Sequence, residues 1–249
     1  MHSLSATQII LWGLAPLLQA CTAALLMRRK MVKELPWFFA FLVFHVVRFS
    51  LQFPAFFISY TVYFNLFWTL EIVDSLLVLF VIQELYNRFF ENYESLKGMS
   101  TIFFRSATVI LFIMTIVVAT RTSGTARARI VTSLFVLDRS VNVVQCALIF
   151  LLFLAGLVFG LPWRRMTRGI AIGLGVMSAT FAITITLRTF APLGQMHFFD
   201  LLQTYSYNLS VAIWLVAAWY RERVPVTTEQ LPSETLQKWD TTLLEFMGK

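Results

Sequence analysis

Six ionisable side chains lie within stretches that are otherwise apolar enough to cross a bilayer. His45 and Arg48 are three residues apart, Glu71 and Asp74 are three residues apart, and Asp138 and Arg139 are adjacent. Residues three or four apart share a helix face, so the first two pairs each project from one side of a helix. A charge at mid-membrane costs roughly 2.5–3.5 kcal/mol even on lenient scales, so these groups should face one another or a wetted cavity. An imidazole, a guanidinium and carboxylates held together there can bind an ion or a small polar solute, or relay protons. Asn142, one turn beyond Asp138, and Tyr207, in the last apolar run, fall at compatible depths. The candidate substrate-binding or ion-pathway set is therefore His45, Arg48, Glu71, Asp74, Asp138, Arg139, Asn142 and Tyr207.

Other chemistries fit less well. No lysine stands at mid-depth in any apolar run, which disfavours a retinal Schiff base, and haem ligation would rest on His45 alone. A catalytic zinc needs three protein ligands and an open position; His45, Glu71 and Asp74 could supply them, but Arg48 beside them would repel the cation. Serine-hydrolase, Walker and dinucleotide motifs are absent, and the glycine-rich sixth run lacks the strand that precedes a phosphate loop. No catalytic residue, metal or cofactor is assigned.

The elements that must position these groups are helices. The chain has 249 residues, 58% hydrophobic and 13% charged, with 25 Phe, against about 25% charged in soluble domains. Apolar runs cover 7–27, 36–57, 60–83, 101–120, 130–161, 169–187 and 198–220. Each meets the roughly 20-residue requirement of a hydrocarbon core about 30 Å thick, whereas barrel strands would be about 10 residues each. The expected fold is all-α, a polytopic bundle of seven transmembrane helices over 1–223, followed by a tail over 224–249. In the tail Ser233 is a good N-cap, and Leu236, Trp239, Leu243, Phe246 and Met247 share one face of an amphipathic helix.

Lysine and arginine set the orientation. Arg28, Arg29, Lys30, Lys33, Arg88, Lys97, Arg105, Arg164, Arg165, Arg168, Arg221 and Arg223 fall on one side; Arg121, Arg127, Arg129 and Arg188 fall on the other. The first side should be cytoplasmic, with the N-terminus outside and the C-terminus inside. The net charge of +7 is then a topology signal, and basic residues split among short loops do not make a nucleic-acid surface. Cys21 and Cys146 lie inside apolar runs, so no disulfide framework is expected, and the N-terminus lacks the basic region of a cleaved signal peptide.

Depth suggests partners. At 1.5 Å per residue, Arg48 is about 18 Å from the inner start of its run and Glu71 about 16 Å from the outer start of its own. Arg48 with Glu71 and His45 with Asp74 are thus the expected pairs, with Asp138 or Arg139 completing the cluster. Polar stripes on six of the seven runs should surround this centre, leaving the fourth run outside. Small residues from Gly156 through Gly169, Gly173 and Gly175 signal close helix packing. Glu84 and Arg88, spaced i,i+4, are expected to extend the third helix beyond the membrane.

The leading expectation is a multi-pass protein of the cell membrane, specifically a bacterial inner membrane, that binds or transports a small polar or ionic solute and is coupled to protons. One alternative is a seven-helix sensor or receptor signalling through its cytoplasmic face and tail to a protein partner; another is an assembly subunit of a membrane complex or homo-oligomer. The lipid bilayer is a partner in all three.

Overall fold

The computed structural model describes residues 6–91, 126–159, 163–188 and 196–220, together with Ser106, Val109, Ile113, Ile116, Val117 and Thr120. Among these, six long helices and one 3-10 turn are present: α1 (Ala6–Arg28), the turn Met31–Lys33, α2 (Pro36–Ile58), α3 (Tyr60–Phe89), α4 (Ala126–Phe159), α5 (Arg165–Arg188) and α6 (Met196–Trp219). Within α1 to α5 lie five stretches long and apolar enough to cross a membrane, which makes this a multi-pass integral membrane protein. α6 departs from expectation. It is as long as α1, α2 and α5, but the polar run Gln203, Thr204, Tyr205, Ser206, Tyr207 and Asn208 leaves it short of that apolarity.

Local chemistry sets the boundaries. Lys30, at φ 58°, takes the left-handed conformation that ends α1. Pro36 starts α2, where its missing N–H is not needed. Ser59 alone joins α2 to α3, in an extended conformation that reverses the chain. Glu84 is not the solvated partner of Arg88 that its i,i+4 spacing implies. It is 7% exposed and caps α2, accepting from the N–H of Trp37 at 3.1 Å and of Phe38 at 2.9 Å. An acidic group satisfies helix-start amides and complements the dipole. Arg88 instead donates to the Glu34 carbonyl.

The helices form a closed ring. Each packs on its neighbour in chain order, and α6 returns to pack on α1. α3 and α4 lie side by side and parallel: Tyr86 near the end of α3 donates to the Leu148 carbonyl in the second half of α4 (2.6 Å), and the Phe89 ring packs at a tilt against Trp163 just past α4. α5 and α6 approach closely, because a β-carbon on Gly173 would lie 2.1 Å from Trp214 Nε1 and one on Gly169 would lie 2.4 Å from the Ala217 β-carbon. Trp214 fills the space and donates to the Ile170 carbonyl at 3.3 Å.

The ring is filled unevenly. The end where α1 finishes and α2 begins carries Arg28, Arg29, Lys30, Lys33, Arg88, Arg164, Arg165 and Arg168, and is called the basic end below. In that half the interior is solid: Phe38, Phe41, Leu85, Leu152, Leu174 and Trp214 are each less than 2% exposed. Cross-links tie the same end together, including Arg29 to the Trp219 carbonyl and Arg165 over the Tyr220 ring at 4.3 Å. In the other half the ring encloses a cavity.

Candidate functional site

The cavity measures about 480 Å³, within the roughly 300–1,000 Å³ usual for small-molecule sites. All six helices contribute, for example through Gln19, Arg48, Asp74, Gln145, Met177 and Tyr207. Its lining residues fall mainly in the half of each helix remote from the basic end: 11–19 of α1, 45–53 of α2, 177–181 of α5 and 203–208 of α6. It does not traverse the ring. The His45 ring rests on Phe41 at 4.3 Å, and Phe41 abuts Trp214 at 5.8 Å. The floor of the cavity is therefore the top of the apolar plug.

The charges converge at that floor, on α2 and α3. Arg48 uses both terminal nitrogens, Nη2 to Glu71 Oε2 at 2.5 Å and Nη1 to Asp74 Oδ2 at 2.9 Å. His45 Nε2 stands 3.4 Å from Asp74 Oδ1. The expected pairs Arg48–Glu71 and His45–Asp74 both occur, and Arg48 also forks to Asp74, a contact that depth alone did not foretell. The four side chains are 10–20% exposed, and all four line the cavity. Packing of the guanidinium over the Phe67 ring at 5.6 Å holds it in place.

His45 Nδ1 lies 3.0 Å from the Phe41 carbonyl, so that nitrogen carries a hydrogen. Nε2 can then donate towards Asp74 only if the ring is an imidazolium. With a neutral ring the cluster bears one positive charge and two negative ones.

Four polar atoms on the cavity lining are buried without a hydrogen-bond partner: Gln52 Nε2, Asp74 Oδ1, Gln145 Nε2 and Asn208 Oδ1. Gln145 is 1% exposed, and Gln52 and Asn208 are each 8% exposed. An unmade hydrogen bond on a buried group costs about 1–3 kcal/mol, so these residues are held in the wall at an energetic cost. Gln52 Oε1 is engaged by Arg48 Nε at 3.4 Å, and the Asn208 amide donates to the Leu11 and Thr204 carbonyls. The Gln52 group left free is thus a donor, and the Asn208 group an acceptor.

The remaining wall is aromatic. Trp12 meets Phe49 and Phe53 edge-on, each at 6.3 Å between centroids, and Tyr63 and Phe67 face the cavity from α3. Pro16, also on the wall, has no N–H for the Trp12 carbonyl that a helix would pair with it.

The other candidate residues divide. Asn142 lines the cavity, as does Tyr207, whose hydroxyl accepts from Gln19 Nε2 at 2.7 Å. The side chains of Asp138 and Arg139 lie outside the described ones; both residues stand in α4, about one turn before Asn142. The tail over 224–249 and the loop carrying Arg121, Arg127 and Arg129 also lie outside the described residues or side chains. Asn208, Tyr63 and the phenylalanines of the wall were missed in the sequence. The signal available was spacing: Tyr63, Phe67, Glu71 and Asp74 follow each other at intervals of 4, 4 and 3, one helix face. Among the described residues no group of His, Cys, Asp and Glu is arranged to hold a metal ion. No known protein family, curated protein or solved structure matches this chain.

Proposed function

We propose that this protein binds a small polar or ionic solute in the cavity, reached from the face opposite the basic end, and carries it across the membrane when the apolar plug rearranges. The observation that supports this most is the cavity of about 480 Å³ floored by Arg48, Glu71, Asp74 and His45, beyond which the ring interior is solid. Buried pairs that only fix helix register need no cavity around them and leave no unmade hydrogen bonds. A closed basic end beneath an open site is the outward-facing state expected of alternating access.

In this reading the chain crosses seven times, with its N-terminus outside and its C-terminus in the cytoplasm. Connectivity supports the count. α3 ends at the basic end and α4, parallel to it, begins at the opposite end, so the chain between them must return across the bundle. Charge supports the orientation, since the cytoplasmic side is the lysine- and arginine-rich one.

The test is uptake. Purified protein in liposomes is offered a mixture of isotope-labelled small metabolites, and trapped solutes are identified by mass. Accumulation of one solute that is abolished by Glu71→Gln, with the variant still folded, supports transport. Saturable binding of a solute without uptake overturns transport in favour of a sensor, and neither binding nor uptake in folded protein overturns the ligand cavity itself.

A further inference from the structure

A second concavity lies at the basic end, on the α2–α3 hairpin and apart from the solute cavity. This groove, of about 430 Å³, runs between the start of α2 and the last turns of α3. Its apolar part is a pair of stacked rings, Trp37 on Phe80 at 4.5 Å, which are 43% and 39% exposed. Its charged part holds Lys33 and Arg88 together with Glu34 and Glu91. Glu84 also lines it, but both of its oxygens are taken by the α2 amides. Helix rise sets the depth. Ser59 alone joins α2 to α3, so Ile58 and Tyr60 are nearly level. At 1.5 Å per residue, Trp37 lies about 32 Å from Ile58 and Phe80 about 30 Å from Tyr60. The hydrocarbon core is about 30 Å thick, so the stacked rings stand at its edge. Lys33 and Glu34 come within four residues of Trp37, and Arg88 reaches back to the Glu34 carbonyl. The charges therefore lie just beyond that edge, among the lipid headgroups.

We propose that the groove binds one phospholipid with a zwitterionic ethanolamine headgroup. The phosphate meets Lys33 and Arg88, the ammonium meets Glu34 and Glu91, and an acyl chain lies along the Trp37–Phe80 stack. The balance of charge selects the headgroup. Among the described residues Lys33 and Glu34 have no ion-pair partner. Glu91 makes only long pairs, 3.9 Å from Arg88 and 3.5 Å from Arg164, with its side chain 46% exposed; such pairs are weak and exchange readily. Arg88 holds the Glu34 carbonyl through Nε and Nη2, which leaves Nη1 for a phosphate. A headgroup bearing only negative charge would satisfy the two cations and confront the two carboxylates. Ethanolamine supplies both signs, and a primary ammonium carries three N–H donors. Choline supplies the charge without a donor, so it forgoes the charge-assisted hydrogen bonds.

The test is competition among three lipids that share dioleoyl chains and a phosphate but differ in headgroup: ethanolamine, choline and glycerol. The full chain in a maltoside micelle is given an equimolar mixture, and retained lipid is counted by native mass spectrometry. The ethanolamine lipid should be retained about two- to fivefold over either rival, the range that one exposed ion pair allows. The double variant Glu34→Gln, Glu91→Gln should erase the preference over choline and turn the selectivity towards the glycerol lipid. Lys33→Gln should weaken all three alike, since all three carry the phosphate. These side chains are exposed, and the comparison on the unmodified protein needs no variant. Glycerol lipid retained as well as or better than ethanolamine lipid by the unmodified protein overturns the zwitterion assignment, because general attraction to the basic end explains it. Equal retention of the ethanolamine and choline lipids overturns the ammonium contacts. An ethanolamine preference that survives the double variant overturns this groove as the site.

Discussion

Replacing Arg48 with glutamine removes the only described cation bonded to Glu71 and Asp74. Two charge-assisted contacts, at 2.5 and 2.9 Å, disappear between side chains that are 14–20% exposed. Removing one partner of a buried pair costs about 3–5 kcal/mol, mostly because a charge is left uncompensated. The partial exposure of these groups places the value near the lower end, about 3 kcal/mol. At about 2–4 °C per kcal/mol for a chain of this size, the unfolding midpoint should fall by about 6–12 °C. The assay is thermal unfolding of purified protein in detergent, followed by near-UV circular dichroism or intrinsic fluorescence. The sign of the pH effect follows from the mechanism. Stranded carboxylates can take up protons, and ordinary carboxylates do so near pH 4. The deficit of Arg48→Gln relative to the unmodified protein should therefore shrink between pH 7 and pH 4. The triple variant Arg48→Gln, Glu71→Gln, Asp74→Asn should recover most of the loss at pH 7, since no charge is left unpaired. An unchanged midpoint in Arg48→Gln, or a triple variant as unstable as the single one, would refute the charge-compensation argument.

Other consequences are smaller or local. Arg188→Gln breaks the ion pair with Asp200 at the opposite end from the basic loops, where the side chains are 31% and 64% exposed; the midpoint should move by no more than about 2–4 °C, as for exposed pairs worth about 0–1 kcal/mol. Gly173→Ala drives a β-carbon against Trp214 and should cost about 1–3 kcal/mol by overpacking, read as a lower midpoint and a shifted tryptophan emission. Glu84→Ala strips the cap from the Trp37 and Phe38 amides. Hydrogen exchange at the start of α2 should then accelerate, with a stability loss of about 1–3 kcal/mol.

The membrane class and the centre of the site were legible in the sequence because both are written in strong signals. Apolar length sets the helices, and a charge in an apolar run must find a partner at its own depth, which is why Arg48, Glu71, His45 and Asp74 could be paired from helix rise alone. What escaped was set by three-dimensional packing. Glu84 reads as one half of an i,i+4 surface pair, but the reach of α2's first amides across the helix interface makes it a buried cap. The phenylalanines of the wall carry no directional signal, since phenylalanine suits a lipid-facing and an inward-facing surface alike. The split of α6, with Gln203 and Tyr207 on the cavity and Trp214 in the plug, depends on where the ring is solid and where it is hollow. No pattern on α6 alone encodes that.

The proposed site is a charged cavity reached from the face opposite the basic end and sealed at that end by the apolar plug. It is tested most directly by thiol access. In a background with Cys21 and Cys146 replaced, single cysteines are placed at Gln52 on the cavity wall and at Ile82 in the plug, and exposed in sealed vesicles of known sidedness to a membrane-impermeant cationic methanethiosulfonate. The account predicts that the cysteine at position 52 reacts when reagent is applied from the face opposite the basic loops, is protected from the other face, and that the cysteine at position 82 is protected from both. Protection at position 52 from both faces, or reaction from the basic face alone, would contradict it.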